Sequence, residues 1–289
     1  MRAGCDARAV TAVYKVSGGG NDFLALASPE RDPSADEIRS WCARGLSFGA
    51  DGVFTLLRIE SGDVRMRYWN ADGQPAALCI NGTRCAARLA LHLGWAAGNF
   101  RVATDAGVFA ARAVAPTEIA LQLPAPDELP RKRLLEVGGR TYEGWFVTVG
   151  VPHLALIWPE SLAHAPVAAL GAALRAHGEF QPAGTNVDFV RFPTPHRMEI
   201  RSFERGVEAE TLACGTGVLA ATAVGLQLNL AQLPLVASTL GGFTLTVDGQ
   251  TVDTGVRNWT LAGDARILGS IELTPEAGLP SPPPPRWSA

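Results

Sequence analysis

Residues 63–68 alternate in character. Asp63, Arg65 and Arg67 are charged while Val64, Met66 and Tyr68 are not, the period of a strand with one face buried. Thr244–Val247 and Gln250–Val252, separated by Asp248-Gly249, predict a hairpin closed by a two-residue turn. Ser34 followed by Glu37, ahead of Ile38 and Trp41, predicts a capping-box helix start, with Gly45 ending the helix. Two segments break from this β-rich texture. Residues 81–93 and 216–228 are rich in Ala and Leu and apolar on most faces, so each predicts a helix buried inside its own domain.

The two buried helices open on related sequences. Cys79-Ile80-Asn81-Gly82 begins the first and Cys214-Gly215-Thr216-Gly217 the second, 135 positions later. Eleven residues before each cysteine stands an aromatic residue, Tyr68 and Phe203. The same offset relates GADGVF at 49–54 to GTNVDF at 184–189, and an offset of 130 relates GNDFLAL at 20–26 to GVPHLAL at 150–156. Three matches in one order imply two homologous halves. The joint is expected in the Pro-rich stretch 123–130. The halves are then residues 1–124 plus about 264–279, and residues 125–263. Residues 280–289, PSPPPPRWSA, have the composition of a disordered tail.

Composition narrows the function classes. The chain of 289 residues is 47% hydrophobic and 18% charged, enough apolar content for two cores. A net charge of −3 offers no basic footprint for nucleic acid. No run of about 18 apolar residues predicts a membrane span, and the segment MRAGCDARAV has no apolar stretch of a secretory signal. Five scattered cysteines do not form a disulfide framework, so reduced thiols and a cytoplasmic location are expected. There is no Cys-x-x-Cys, and His92, His164, His177 and His196 lack ligand spacing, so no metal site is expected. Gly18-Gly19-Gly20 lacks both the phosphate-loop lysine and the dinucleotide fingerprint.

The chemistry concentrates on Cys79 and Cys214. A thiol at a helix start sits at the positive end of the helix dipole beside unpaired backbone N–H groups, which favours the thiolate. Two such starts facing one cleft make a nest for a carboxylate. One thiolate then removes an α-hydrogen from one face while the other thiol returns a proton from the opposite face. The carbanion is stabilised through the carboxylate already held by backbone amides. Cys5, Cys42 and Cys85 have no helix-start argument and read as small buried apolar residues.

These residues resemble the diaminopimelate epimerase family. The matching pieces are GGGNDF at 18–23, GADG at 49–52, NADG at 70–73, CINGTRCA at 79–86, GVPH at 150–153, GTNVDF at 184–189 and ERGVEAETLACGTG at 204–217. They occur in the family's order and span residues 14–271. The resemblance implies an α/β fold of the α+β type. It comprises two homologous halves, each an antiparallel-rich sheet wrapped around a central buried helix, with the active site in the cleft between them. It implies that Cys79 and Cys214 are the two catalytic bases. Asn81, Gly215 and Thr216, with the backbone at Ile80, form the pocket for the α-carboxylate. Asn21, Asn70, Asn186, Glu204 and Arg205 contact the substrate's polar groups, and His153 and Glu204 tune the thiols. A bidentate Arg205 suits a carboxylate and Glu204 an ammonium.

On this resemblance the protein is a cofactor-independent, homodimeric epimerase that takes LL-2,6-diaminopimelate to the meso form for lysine and peptidoglycan precursors. Its partner is a small amino-acid substrate, with no nucleic acid, membrane or metal involved. Two positions depart from the family. Ile80 stands where Gly usually follows the first cysteine, and a β-branched residue resists φ > 0, so a reshaped carboxylate loop is expected. Val151 replaces the usual Asn before Pro-His. Gly52 is a common variant. The alternatives left open are a related two-cysteine racemase for another amino acid and a non-catalytic diverged member.

Overall fold

The computed structural model describes residues 12–59, 62–252 and 255–279. The N-terminal segment with Cys5 and the Pro-rich tail lie outside the described residues. The chain divides into two compact units, one running to Phe109 and resuming at Ala265, the other Ala110–Asp264.

In the first unit β1 (Ala12–Gly18) and β2 (Asn21–Ala27) form a hairpin. Helix α1 (Ala35–Cys42) follows, and β3 (Gly52–Arg58) then lies parallel to β2 and antiparallel to β4 (Val64–Asn70). β4 pairs with the short β5 (Pro75–Ala76) and, beyond α2 (Ile80–His92), runs parallel to β6 (Asn99–Thr104). β7 (Gly107–Ala115) leads into the second unit and pairs with β8 (Glu118–Gln122).

There β9 (Arg131–Val137) pairs with β10 (Arg140–Val149), and the order of the first unit repeats. β10 and β11 (Val151–Ile157) form the hairpin, and α3 (Val167–Arg175) follows. β12 (Asn186–Thr194) is parallel to β11 and antiparallel to β13 (Arg197–Glu204). β13 pairs with the short β14 (Ala209–Thr211) and, beyond α4 (Gly215–Gln227), runs parallel to β15 (Leu235–Thr239). β16 (Thr244–Val252) and β17 (Gly255–Asp264) complete this unit, and β18 (Arg266–Ile271) returns to pair with β1.

The duplication read from three short matches therefore extends to the order and sense of every central pairing. Its punctuation repeats too. Gly20 and Gly150 turn the two hairpins at φ +85° and +68°, and Gly49 and Gly184 precede the parallel strands at +66° and +70°, a region that costs little only without a Cβ. Both 13-residue helices end on a left-handed residue, Gly94 and Asn229, again 135 apart.

Two sequence expectations need correction. The joint is earlier than the Pro-rich stretch: β8 pairs along β17, Thr260 opposite Gln122, so residues from 110 onward already belong to the second unit. Asp248-Gly249 is not a hairpin turn but an irregularity inside β16, where the register with β17 shifts. The Asp248 carboxylate accepts from the Gly249 N–H at 2.8 Å, replacing the ladder partner that the bulge removes. The chain reverses only after Val252, which pairs with Gly255.

The central strands of each unit have helices packed on them, which explains the unbroken burial of Phe23–Ala27 and Val187–Val190. In β4 the alternation holds as expected. Met66 and Tyr68 face α2, with Met66 beneath Gly82 and Tyr68 edge-on to Phe23. Trp69 faces the other way, into a cluster with Val13, Leu24, Ile38, Trp41 and Val53 under α1. The capping box that starts α1 is present, Glu37 N–H to Ser34 Oγ and Ser34 N–H to the Glu37 carboxylate. Arg31, paired with Glu37, holds that carboxyl down at about 2.

The central helices have no comparable autonomy. A 13-residue helix is marginal alone in water, and α2 and α4 persist because nearly every residue is enclosed. α2 packs on β1–β4, β6 and β18, and α4 on β10–β12 and β16. Among the described residues no helix is long and apolar enough to cross a membrane. Cys85 is one of the enclosed residues, 1% exposed in the second turn of α2. Cys85→Ser should cost about 1–3 kcal/mol by urea denaturation, since a more polar hydroxyl replaces a fully enclosed sulfur. The turnover per folded molecule should be unchanged, measured on the soluble fraction.

Candidate active site

Cys79 and Cys214 each occupy the N-cap position, with extended backbone at φ −135° and −115°, just before α2 and α4. The helix geometry that follows leaves the first backbone N–H groups, at Ile80 and Asn81 and at Gly215 and Thr216, without intrahelical acceptors. Ile80 enters α2 directly and is absent from the left-handed residues, as is Gly215 at the matching position. The positive φ on which the expected reshaping rested is therefore not required at Ile80. A β-branched residue fits because the position is helical, not left-handed.

Around Cys79 the groups are donors. The Gly82 N–H points to Sγ at 3.4 Å, and the Tyr68 hydroxyl donates to the same sulfur. The cysteine's carbonyl accepts from both Thr83 N and Oγ1, tying the cap to the first turn. Beneath it runs a chain of amides with a charge at each end. The buried Arg84 donates to Asn81 Oδ1 at 2.6 Å, Asn81 Nδ2 to Asn21 Oδ1 at 2.8 Å, and Asn21 Nδ2 to Asp51 at 3.0 Å. A cation at one end and a carboxylate at the other set the orientation of both amides. Arg44 joins Asp51 to Asp22, and Lys15 pairs with Asp22, anchoring the acidic end. Asn70 is exposed at the end of β4, opposite Gly52.

Around Cys214 the groups are different. The sulfur is 3.4 Å from Thr216 Oγ1 and hydrogen-bonds the Glu204 carboxyl. Burial pushes the thiol well above its ordinary value, and the negative charges of Glu204 and Asp188 add to that, against the weaker help of Thr216 and the Gly217 N–H. Burial also raises Glu204, as does Asp188. Thr211, whose hydroxyl donates at 2.5 Å, opposes the rise, with His153 and Cys214. The proton between Cys214 and Glu204 is thus contested by two groups that both resist ionisation.

Behind them lies a fully buried triad. Asp188 accepts from Ser202 Oγ at 2.6 Å and faces His153 Nδ1 at 2.7 Å. With Nδ1 as donor to the carboxylate, His153 Nε2 accepts from Asn186 Nδ2 at 3.4 Å. Asn186 Oδ1 in turn accepts from the Arg205 N–H at 2.8 Å, and the Arg205 guanidinium reaches the carbonyl of Ala183. Gly217 is required here, because a Cβ would lie 2.5 Å from Asp188 Oδ1. Among the described residues the His153 ring nitrogens face Asp188 and Asn186, and no hydrogen bond joins the ring to the Cys214 thiol.

The structure thus brings Asn21, Cys79, Ile80 and Asn81 together in the first unit. In the second it gathers His153, Asn186, Glu204, Arg205, Cys214, Gly215 and Thr216. Both amide ends of Asn21 and of Asn186 are engaged with the protein itself. Sequence reasoning missed Tyr68, Arg84, Asp188 and Thr211. Two carried a signal: Arg84 and Asp188 are charged residues inside otherwise apolar segments, which is expensive without a purpose.

A cysteine cap at each of two duplicated, buried helices defines a class, the amino-acid racemases and epimerases that work without pyridoxal phosphate. The solved structures with this fold include a hydroxyproline epimerase from Agrobacterium vitis at TM-score 0.66 and 14% identity, covering 94% of this chain and 95% of that one. A PhzF-family phenazine biosynthesis protein from Enterococcus faecalis is similar at 0.67 and 17%, covering 91% and 100%. At sequence level the diaminopimelate epimerase family model matches residues 13–120 and 145–260. The diaminopimelate epimerase of Aquifex aeolicus is 36% identical over 81% of this chain and 88% of its own, and that of Methanothrix thermoacetophila 37% over 79% and 85%. The chain belongs to the diaminopimelate epimerase family and is an isomerase.

Proposed function

We propose that the protein converts LL-2,6-diaminopimelate to the meso form by two-base proton transfer between Cys79 and Cys214. The observation that carries the reading is the pair of N-cap thiols in unlike surroundings, one among donors and one beside a carboxylate. The Cys79 thiolate takes the α-hydrogen as a proton and becomes a thiol. The electron pair left on carbon is delocalised into the α-carboxylate, which the N–H groups of residues 80, 81, 215 and 216 receive. The Cys214 thiol gives its proton to the opposite face and becomes the thiolate, beside a Glu204 that accepts or returns a proton as the site resets. The reverse reaction exchanges the two roles. Asn70, Asn186, Glu204 and Arg205 recognise the distal amino-acid end, directly or through the groups they orient.

A second reading, a racemase for another amino acid, is favoured by Val151 alone. It opens β11 beside the hairpin turn and supplies no amide there. A panel of single amino-acid stereoisomers, assayed by chiral chromatography, separates the two. Turnover of LL-diaminopimelate at least about a hundred times faster than of any monoamino acid supports the first reading. Comparable or faster turnover of another amino acid overturns it. In this reading the enzyme is a cytoplasmic homodimer in the lysine and peptidoglycan precursor route. Light scattering at micromolar concentration should give about twice the 30.5 kDa chain mass.

A further inference from the structure

Tyr68 has no part in the chemistry above, yet it is the aromatic residue best placed to influence a thiol. It lies on the α2 face of β4, 7% exposed, with its ring edge-on to Phe23. Diagonally across the β3–β4 pairing, where Gly52 stands opposite Asn70, is a space that only glycine leaves. A Cβ on Gly52 would lie 2.6 Å from Tyr68 Cε2 and 2.7 Å from its hydroxyl oxygen. The same Cβ would lie 2.6 Å from the Trp69 carbonyl oxygen, so a larger residue at 52 must displace the strand backbone as well as the ring tip. With glycine there, the hydroxyl reaches the cap of α2 and hydrogen-bonds Cys79. Burial holds this phenol protonated, and the Cys79 charge reinforces that, so the phenol is the donor and sulfur the acceptor. The matching aromatic in the second unit, Phe203, has no hydroxyl, and Cys214 has Glu204 instead.

We propose that Tyr68 is a positioning residue for Cys79: seated in the space that Gly52 vacates, its hydroxyl donates to Sγ and, with the Gly82 N–H, keeps this thiol ionised in the resting enzyme. The proposal rests on the reading of Cys79 as a base, and it deepens it. The resting enzyme then holds a thiolate at Cys79 and a thiol at Cys214, and the asymmetry is produced by a tyrosine–glycine pair on one side and a glutamate on the other. The other titrating groups near this pair are Asp51, just before β3, and Cys42 in α1. Burial raises Cys42 to about 11, so it stays a neutral thiol near pH 7. Asp51 is tied to Arg44 and Asn21.

The test is the pH dependence of iodoacetamide alkylation at Cys79, read by mass spectrometry of the Cys79 peptide, in the wild-type protein and in Tyr68→Phe. Phenylalanine keeps the ring packing against Phe23 and removes only the donor. Loss of one hydrogen bond to the thiolate should raise the midpoint of the Cys79 profile by roughly one pH unit, with the urea midpoint of the protein nearly unchanged. At pH 7 alkylation should fall several-fold. An unchanged profile in folded Tyr68→Phe overturns the proposal. The readout needs no turnover, so the outcome is independent of the substrate. A shifted profile in a protein inactive on LL-diaminopimelate would leave the positioning role standing and refute the proposed reaction.

Discussion

Cys79→Ser and Cys214→Ser should each lose about 10²–10⁴-fold in epimerisation, because a hydroxyl is a far weaker base than a thiolate near neutral pH. The two variants should nevertheless fail differently. A substrate analogue with a leaving group on the β-carbon needs only one base to lose its α-proton and eliminate. Each variant retains one thiol, so each should eliminate from one configuration and not the other, with opposite preferences. Chiral analysis of the recovered analogue reads this directly. Cys85→Ser, one turn and a half deeper in the same helix, supplies the control for folding. If both cysteine variants kept full rates, the two-thiol reading would fall. If only Cys85→Ser lost turnover, the assignment within CINGTRC would be misplaced.

Glu204→Gln should lower kcat/KM by on the order of 10²-fold. The loss should be equal in the two directions, since the equilibrium between the isomers fixes their ratio. The carboxylate beside Cys214 takes part whenever that thiol must ionise, and an amide cannot accept its proton. The same substitution has a signature in stability. Burial, and then Asp188, raise the Glu204 carboxyl above its unfolded value, so the folded state binds its proton more tightly. That contribution is fully present below the unfolded value and is lost as the pH rises through the folded one. Thermal melts of the wild type should therefore lose stability across that interval, and Glu204→Gln should lose less. A steeper loss in the variant would contradict the assigned direction.

Much of this was legible in the chain, for physical reasons. Residues 81–93 and 216–228 are rich in Ala and Leu and apolar on most faces, the first interrupted by the stripe of Arg84, Arg88 and His92, so burial of both helices followed from composition. The duplication was readable because the hairpin turns and the approaches to β3 and β12 demand glycine in a left-handed conformation, which preserves Gly20, Gly150, Gly49 and Gly184 in register. Asp248-Gly249 misled because a two-residue turn and a bulge ask for the same residues. What decides between them is whether the strand beyond continues to pair, a long-range fact. The joint was placed at prolines, whereas the pairing of β8 with β17 draws the preceding residues into the second unit.

At the site, the cysteines announced themselves by position relative to their helices. Their electrostatic difference did not. It depends on side chains brought in from other strands: Tyr68 from β4, Glu204 and Ser202 from β13, Asp188 from β12 and Thr211 from β14. Ile80 shows the opposite error. A departure from the family's glycine suggested a distorted loop, but the position is the first residue of a helix and makes no demand on φ.

The central claim is that two separate groups handle the proton on the two faces of the α-carbon. The most direct test is the early time course of LL-diaminopimelate turnover in D₂O, with deuterium at the α-carbons of substrate and product followed by mass spectrometry. Two monoprotic thiols require the first meso product to carry one solvent deuteron at its inverted centre while the remaining LL substrate stays protiated. Product that retains the original α-hydrogen, or substrate that gains deuterium as fast as product forms, would mean that a single group serves both faces.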